Sequence, residues 1–330
     1  MRPDPVSTLS PLKSHYYAHH TALLRKKLSV AIARDELKRL HECRPGRHFL
    51  VTLRQFAFLI VTASLLAWIT HPLVWIPLAF VEGFTIFNFT ILLHEVVHDT
   101  VTVRHDRRLA RVLGVLYAFP SGISALQFTR WHLDHHDSLG SGTEDPKRFH
   151  LSPKRNARWY KMLYFTPVLF PIYFLAARKE TATYPALLQA RIRRERNLTI
   201  LGHLVIMVSL AATLGAGALA RVYLVPYFLI FPIAFALNRL GQHYDINPDN
   251  PAQWSTLVRS SLFWNFAFLW SNFHLEHHYF PRVPFYNLPR LHRLLKPFYA
   301  REGMRPVGYA RLLYGWLVQN GAPHTDWSRA

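Results

Sequence analysis

Long stretches without charged residues divide this chain of 330 residues and limit the folds that it can adopt. Each stretch is long enough, alone or with its flanking residues, to cross the hydrocarbon core of a bilayer as a helix. They cover residues 55–71, 73–93, 198–220 and 222–238, and Glu82 is the one acid that interrupts them. We therefore predict an all-α integral membrane protein with four transmembrane helices, in which Glu82 is neutral and hydrogen-bonded.

Two further uncharged stretches, residues 112–129 and 162–177, are shorter and contain helix breakers such as Pro120 and Pro171. If the first of them crossed the bilayer, the histidine-rich segments before and after it would lie on opposite faces. We therefore expect both stretches to be interfacial or re-entrant.

The basic residues indicate the orientation of the chain. It contains 39 Lys and Arg residues and has a formal net charge of +20. With four crossings, all of them except Arg221 fall on the side that carries the histidine clusters, and the positive-inside rule makes that side cytoplasmic. Nucleic acid is not expected as a partner, because the basic residues flank apolar spans and suit anionic lipid headgroups. The polar N-terminus shows no secretory signal, so we expect a multi-pass membrane protein with its catalytic face and both termini in the cytoplasm.

These expectations define one membrane domain over residues 1–330. Its predicted parts are a cytoplasmic N-terminal segment (1–48), a first transmembrane hairpin (about 49–93), a cytoplasmic region with interfacial helices (94–197), a second hairpin (about 198–240) and a cytoplasmic C-terminal region (241–330). A helical cytoplasmic cap would bring the histidine-rich segments together.

Three histidine motifs lie just outside the predicted spans, and their spacing indicates a metal site. One is an H-x-x-x-H pair, and the pattern H-x-x-H-H occurs twice. The residues are His94 and His98; His132, His135 and His136; and His274, His277 and His278. Imidazole is a common ligand of iron, copper, nickel and zinc, and residues three or four apart share a helical face. Eight nitrogens are too many for one ion and suit two, and His243, just after the fourth span, is the expected ninth ligand.

Other kinds of metal site fit the sequence less well. The lone Cys43 excludes a cysteine-built zinc site and a cysteine-ligated iron–sulfur cluster. Residues 94–98 also match the H-E-x-x-H motif of zinc proteases, but that interpretation leaves both H-x-x-H-H clusters unused. A transporter of divalent metals would place its ligands at the bilayer midplane on broken helices, whereas these clusters lie outside the spans.

Together the three motifs resemble the histidine boxes of the membrane fatty acid desaturase superfamily, which includes acyl desaturases, acyl hydroxylases and carotenoid oxygenases. The family boxes H-x(3,4)-H, H-x(2,3)-H-H and [H/Q]-x(2,3)-H-H match residues 94–98, 132–136 and 274–278, and the resemblance covers roughly residues 50–300. It implies a non-haem centre of two iron ions held by the nine histidines, with O2 as co-substrate. It also implies that Asn238 holds a bridging water.

The resemblance implies an oxidoreductase that introduces a double bond into a long acyl chain at the membrane. The alternative is a hydroxylase or ketolase of a fatty acyl, carotenoid or alkane substrate, because both reactions begin with removal of a hydrogen. The chain has no His-Pro-Gly-Gly segment of a fused cytochrome b5, so a separate donor, ferredoxin or a cytochrome b5-like protein, is expected to supply electrons.

Five acidic residues beside the boxes are expected to accept hydrogen bonds from the ring N–H groups and so to orient the metal ligands. They are Glu95, Asp99, Asp134, Asp137 and Glu276.

Overall fold

The computed structural model describes residues 15–322, and within this range the chain forms helices and connecting loops without any β-strand. The helices are α1 (Tyr16–His20), α2 (Ala22–Ala31), α3 (Arg34–Leu40), α4 (Pro45–Trp68), α5 (Pro72–Val97), α6 (Arg107–Ala118), α7 (Ala125–Asp137), α8 (Arg158–Met162), α9 (Leu169–Thr181), α10 (Ala186–Leu219), α11 (Phe231–His243), α12 (Leu262–Ala267), α13 (His274–Tyr279), α14 (Leu288–Arg301) and α15 (Tyr309–Leu313). Segments of 3₁₀ or π helix cover Phe119–Ser121, Lys147–Leu151, Leu163–Phe165, Ala220–Ile230, Pro251–Gln253, Phe285–Asn287 and Tyr314–Val318. The predicted all-α class is confirmed.

Helices α4 and α5 form an antiparallel pair joined by only three residues, 69–71. Each begins with a proline, Pro45 or Pro72, at a position where the missing N–H has no partner in a helix anyway. Glu82 of α5 is buried against α4 and accepts a hydrogen bond from Thr62. The carboxyl group of Glu82 thus has a hydrogen-bond partner within the interface of the two helices, as predicted from the sequence.

The chain reverses direction a second time within α10, at Gly215, whose φ of 81° lies in the left-handed region that favours glycine. The predicted spans 198–220 and 222–238 place this turn at Arg221, six residues later. In the structure the Arg221 guanidinium instead donates to the carbonyl oxygens of Leu66 and Ala67, both at 3.0 Å. The segment that follows the Gly215 turn therefore lies beside the end of α4.

Three helical stretches are long and apolar enough to cross a membrane by length and composition: Pro45–Trp68, Pro72–Val97 and Ala186–His243, the last of which contains the reversal at Gly215. Two further pairs of helices pass the same test together but are sharply bent. Arg107–Ser121 and Ala125–Asp137 meet at 95°, and Arg158–Phe165 and Leu169–Thr181 meet at 91°. The described chain thus has three candidate spans, or up to five if each bent pair counts as one.

The bend between α6 and α7 has a local cause. Gly122 adopts a φ of 70°, and a Cβ atom there would overlap the hydroxyl of Tyr227. The chain can therefore turn against the second hairpin only with glycine at this position. Ser124 then caps α7 by accepting a hydrogen bond from the amide of Gln127 at 3.2 Å. This bend points α7, which carries the second histidine motif, back towards the end of α5.

The N-terminal and C-terminal helices pack on each other above the histidines. Leu24 and Leu28 of α2 are buried, as are Leu291 and Leu295 of α14, and all four belong to the main core. Two ion pairs join the same layers: Lys27 lies 2.7 Å from Glu302, and Arg290 lies 2.7 Å from Glu36. This layer holds α13, which carries the third histidine motif, against α11 and α14.

Candidate metal centre

Helices α5, α7, α11 and α13 bring all nine predicted histidines into two adjacent groups. The first group contains His94, His98, His132, His136 and His277, and the second contains His135, His243, His274 and His278. Each histidine offers one ring nitrogen as a ligand, and within each group these nitrogens all lie within 4.8 Å of one another. Each H-x-x-H-H motif is divided between the groups, because neighbouring residues of a helix point in different directions. His135 and His136 therefore reach different centres.

The Nε2 atoms in each group have the spacing of neighbouring ligands on one metal ion. In the first group, the Nε2 of His277 lies 3.0 Å from those of both His94 and His136. In the second, the Nε2 of His274 lies 3.0 Å from those of His243 and His278. Two nitrogens bound at right angles at about 2.1 Å from one ion would lie about 3.0 Å apart. The observed spacings match that value.

Hydrogen bonding alone does not explain the second group. The Nε2 atoms of His243, His274 and His278 form a triangle with sides of 3.0, 3.0 and 3.4 Å. Each Nε2 has one site, which either donates a proton or accepts one. Three such atoms in mutual contact cannot all be paired by protons, whereas one cation beside the triangle pairs all three lone pairs. The donor set therefore fits a metal ion.

Burial keeps these imidazoles neutral, which is the form that binds metals. It lowers the pKa of His132, His136 and His277 well below the ordinary value, and neighbouring cations and imidazoles lower it further. Burial also lowers the pKa of His135 to about 4, even though Asp145 acts in the opposite direction. The lone pairs are thus available at neutral pH.

Three groups that sequence analysis missed contact the far nitrogens of these rings. Asp145 Oδ1 lies 2.8 Å from His135 Nδ1, and the carbonyl oxygen of Trp254 lies 3.2 Å from His243 Nδ1. The Lys147 Nζ lies 2.7 Å from the Nδ1 of His132, and burial lowers the pKa of Lys147 to about 7. None of the three belongs to a spacing pattern, since they lie in loops after α7 and α11. Only the general rule that a bound imidazole needs a partner on its other nitrogen could have suggested them.

Three of the predicted acids lie beside the core of the site. Glu95 is buried, lies 3.5 Å from the Nδ1 of His94 and accepts a 3.0 Å hydrogen bond from the amide of Phe285. Glu276 accepts 2.6 Å hydrogen bonds from His292 and Tyr299.

Asp134 forms a buried ion pair with Arg130 at 3.0 Å. These two acids, Asp134 and Glu276, therefore fix the helices that carry the histidines through partners outside the two groups.

The other two predicted acids face the N-terminal segment and the surface. Asp137 accepts hydrogen bonds from the amide and ring of His15, at 2.7 and 3.0 Å. Asp99 has a φ of 56° and lies 2.7 Å from the ring of His105. Asn238, one turn before His243, donates to Ser271 at 2.7 Å and accepts from Gln242 at 2.6 Å. The predicted role of these residues at the metal centre remains a prediction.

An apolar cavity reaches both groups of histidines. Its polar end is lined by His94, His132 and His277 of the first group and His274 of the second, and its walls come mainly from aromatic and aliphatic side chains. Phe87, on the same face of α5 as His94, lies seven residues earlier, so the cavity extends about 10 Å along the helix from the histidines. This shape suits an unbranched apolar chain with one segment held beside the nitrogen cluster.

Comparison with known proteins identifies the family. A family model described as fatty acid desaturase matches residues 66–309, well over half of the chain. The chain belongs to the fatty acid desaturase family. Similar proteins include the human sphingolipid delta(4)-desaturase/C4-monooxygenase DES2, 24% identical over 259 residues that cover 73% of each chain. A putative sphingolipid delta(4)-desaturase/C4-monooxygenase from Caenorhabditis elegans is 24% identical over 295 residues, which cover 86% of this chain and 75% of the relative.

Membership of this family confirms three predictions from the sequence: the family itself, the oxidoreductase class and desaturation of a lipid acyl chain as the activity. Hydroxylation, the predicted alternative, agrees with the second activity in the names of the relatives. The two histidine groups could hold the metal ions that such chemistry requires.

Proposed function

We propose that this protein uses two iron ions and O2 to desaturate a long acyl chain of a membrane lipid. The observation that carries the proposal is the position of the two histidine groups at one end of an apolar cavity. Side-chain acids and bases cannot break an unactivated C–H bond, so a bound metal must supply the oxidation. The nine histidines would hold the iron, five on one ion and four on the other.

The residues of the chain position the substrate and shield the site. The aromatic walls, including Phe87 and Phe231, bind the acyl chain and exclude water from it. The linked side chains of Asn238, Gln242 and Ser271 line the same cavity and offer hydrogen bonds beside the metal centre. We propose that this polar patch holds a water molecule or a polar group of the substrate next to the carbons that react.

The membrane arrangement is part of the proposal. We infer four transmembrane helices, formed by α4, α5 and the two arms on either side of Gly215, with the two bent helix pairs as re-entrant or interfacial segments. The remaining described helices would form a cytoplasmic cap within one domain that has the segment boundaries given above. The contact between Arg221 and the end of α4 supports this arrangement of four helices. With this contact, the turn at residues 69–71 and the turn at Gly215 would lie at the same end of the bundle. The chain termini, residues 1–14 and 323–330, lie outside the described residues.

The partners follow from the chemistry. Each reaction with O2 consumes two electrons beyond those taken from the substrate, so an electron donor is required, and we propose a separate protein, ferredoxin or a cytochrome b5-like protein. The names of the relatives favour a lipid with a sphingoid backbone as substrate. They also favour hydroxylation as the second candidate reaction, since the same relatives are named both desaturase and C4-monooxygenase.

A single-turnover experiment tests the function. Iron-loaded protein in lipid nanodiscs, supplied with a deuterium-labelled dihydroceramide or a phospholipid with saturated acyl chains, is reduced chemically and exposed to O2. Products lighter by two hydrogens support desaturation, and products heavier by one oxygen support the hydroxylase alternative. His277→Ala should abolish either product, whereas His203→Ala, a buried histidine outside both groups, should retain it. Absence of product from protein that retains its iron, with both substrates supplied, would refute the proposal.

A further inference from the structure

A second and much larger cavity lies on the opposite side of α7 from the apolar one. It is an open groove of about 1210 Å³, above the roughly 300–1,000 Å³ that is usual for a small-molecule pocket. Its inner end reaches His98 and His136 of the first histidine group and His278 of the second. The residues of α7 that face it, such as Leu126 and Leu133, alternate with those that face the apolar cavity. The substrate cavity proposed above therefore does not account for the groove.

Two helices form the walls of this groove, and on each of them arginines are followed along the chain by apolar residues. On α6 the groove residues recur every three or four positions, which places them on one face; they are Arg107, Ala110, Arg111, Gly114 and Val115. On α10 the corresponding face carries Leu188, Arg191, Arg194, Glu195 and Leu198. Both helices continue from there into exposed apolar residues, including Leu116 on α6 and Leu201 on α10. An arginine band thus adjoins an apolar band on both walls.

The charges in the groove are unbalanced. Arg111, Arg191 and Arg194 are exposed and form no ion pair with any carboxylate in residues 15–322. The groove also contains acids, but these have other partners. Glu195 accepts from the hydroxyl of Ser124 at 2.6 Å and from the amide of Leu126 at 3.1 Å.

Asp99 and Asp137 lie against His105 and His15, at 2.7 and 3.0 Å. The positive charge of the groove is therefore available to a ligand. Guanidinium groups bind phosphate oxygens through paired hydrogen bonds, and the apolar ends of both walls are suited to an acyl chain.

We propose that this groove binds an anionic phospholipid of the surrounding bilayer, with its phosphate among Arg111, Arg191 and Arg194 and its acyl chains along Val115 and Leu198. A lipid in this position covers the groove side of His98, His136 and His278 and limits the access of water to them. This inference concerns a lipid that is not the substrate, and it does not depend on the proposed reaction.

Lipid binding to two matched variants tests the proposal. The first variant combines Arg111→Gln, Arg191→Gln and Arg194→Gln. The control combines Arg108→Gln, Arg193→Gln and Arg196→Gln, which removes the same charge from the same two helices but outside the groove. Native mass spectrometry of the iron-loaded protein, titrated with phosphatidylglycerol or with phosphatidylcholine of the same acyl chains, measures retained lipid. Equal elution volume and iron content establish that both variants are folded.

We expect the wild type and the control to prefer phosphatidylglycerol, and the groove variant to bind it about tenfold or more weakly, because each basic side chain near a membrane surface contributes several-fold in affinity. Equal weakening in both variants, or no preference for the anionic lipid, would overturn the proposal. It would also be overturned if inorganic phosphate or an acidic protein displaced the lipid completely at equal concentration, since the groove would then recognise charge alone.

Discussion

The carboxylate of Asp145 lies 2.8 Å from the Nδ1 of His135, and both side chains are buried. The carboxylate is itself held by the amides of Lys147 and Arg148, at 2.9 and 3.2 Å. Burial raises the pKa of Asp145, but the neighbouring His135 and these hydrogen bonds lower it by more, so the group is ionised at neutral pH. Asp145 therefore fixes the orientation of His135, with its Nε2 directed to the second histidine group.

Replacement of Asp145 by Asn should weaken metal binding at the second group. We expect a loss of about tenfold or more in metal affinity, as is usual when the partner of a metal-bound imidazole is changed. Iron per chain, measured after dialysis against a graded series of chelator, should fall from about two towards one. The matched control is Asp249→Asn, which makes the same change at an exposed acid in the loop after α11. Equal iron loss in both variants would contradict this role of Asp145.

The apolar cavity should determine which chain lengths are accepted. Phe231 lines the cavity and stacks on Phe170, with ring centres 5.8 Å apart. Phe231→Ala removes part of the wall, so products should shift to longer or bulkier chains. Phe228→Ala is the control, because Phe228 also packs on Phe170 at 5.3 Å but does not line the cavity. Product distributions are compared by lipid mass spectrometry, and a similar shift in both variants would indicate general loosening of the core.

The local stability of residues 314–321, near the end of the described chain, should depend on one buried lysine. Lys161 is fully buried, and its Nζ donates to the carbonyl oxygens of Trp316 and Gly321 and to the side chain of Asn320, at 3.0, 2.9 and 2.9 Å. Lys161→Met leaves these acceptors without a donor, at a cost of about 2–3 kcal/mol. Limited proteolysis should then cut faster near residues 314–321. Lys179→Met, at an exposed position, should leave the cleavage rate unchanged.

The orientation of the protein can be measured with an impermeant thiol reagent. In a Cys43→Ser background, Thr70→Cys places a thiol in the exposed turn between α4 and α5, and Arg155→Cys places one on the histidine side. Intact cells should be labelled only at position 70, and position 155 should react only after lysis. Labelling of both positions in intact cells, or of position 155 alone, would contradict the proposed sidedness.

Eight of the nine clustered histidines could be found in the sequence, because their spacing repeats along the chain, and the ninth, His243, was found by its position just after the fourth predicted span. Sequence analysis could not place Asp145, which follows His135 by ten residues in a loop where no periodic pattern applies. Its five candidate acids were chosen by proximity in sequence, but a helix turns adjacent residues in different directions, so Asp99 and Asp137 lie against His105 and His15.

The turn of the second hairpin shows a similar limit. The charge of Arg221 suggested a turn at that residue, whereas the backbone freedom of Gly215 determines where the chain reverses. Arg221 still lies near the predicted end of the bundle, because its long side chain reaches the carbonyl groups of a neighbouring helix.

The most direct test of the account is the metal content of the purified protein. Elemental analysis combined with Mössbauer spectroscopy of protein produced with ⁵⁷Fe measures both the number and the environment of the iron ions. The account predicts about two iron ions per chain in nitrogen-rich sites, with one of them lost selectively when His243 is replaced by Ala. One iron per chain, or zinc in both groups when iron is available, would contradict it.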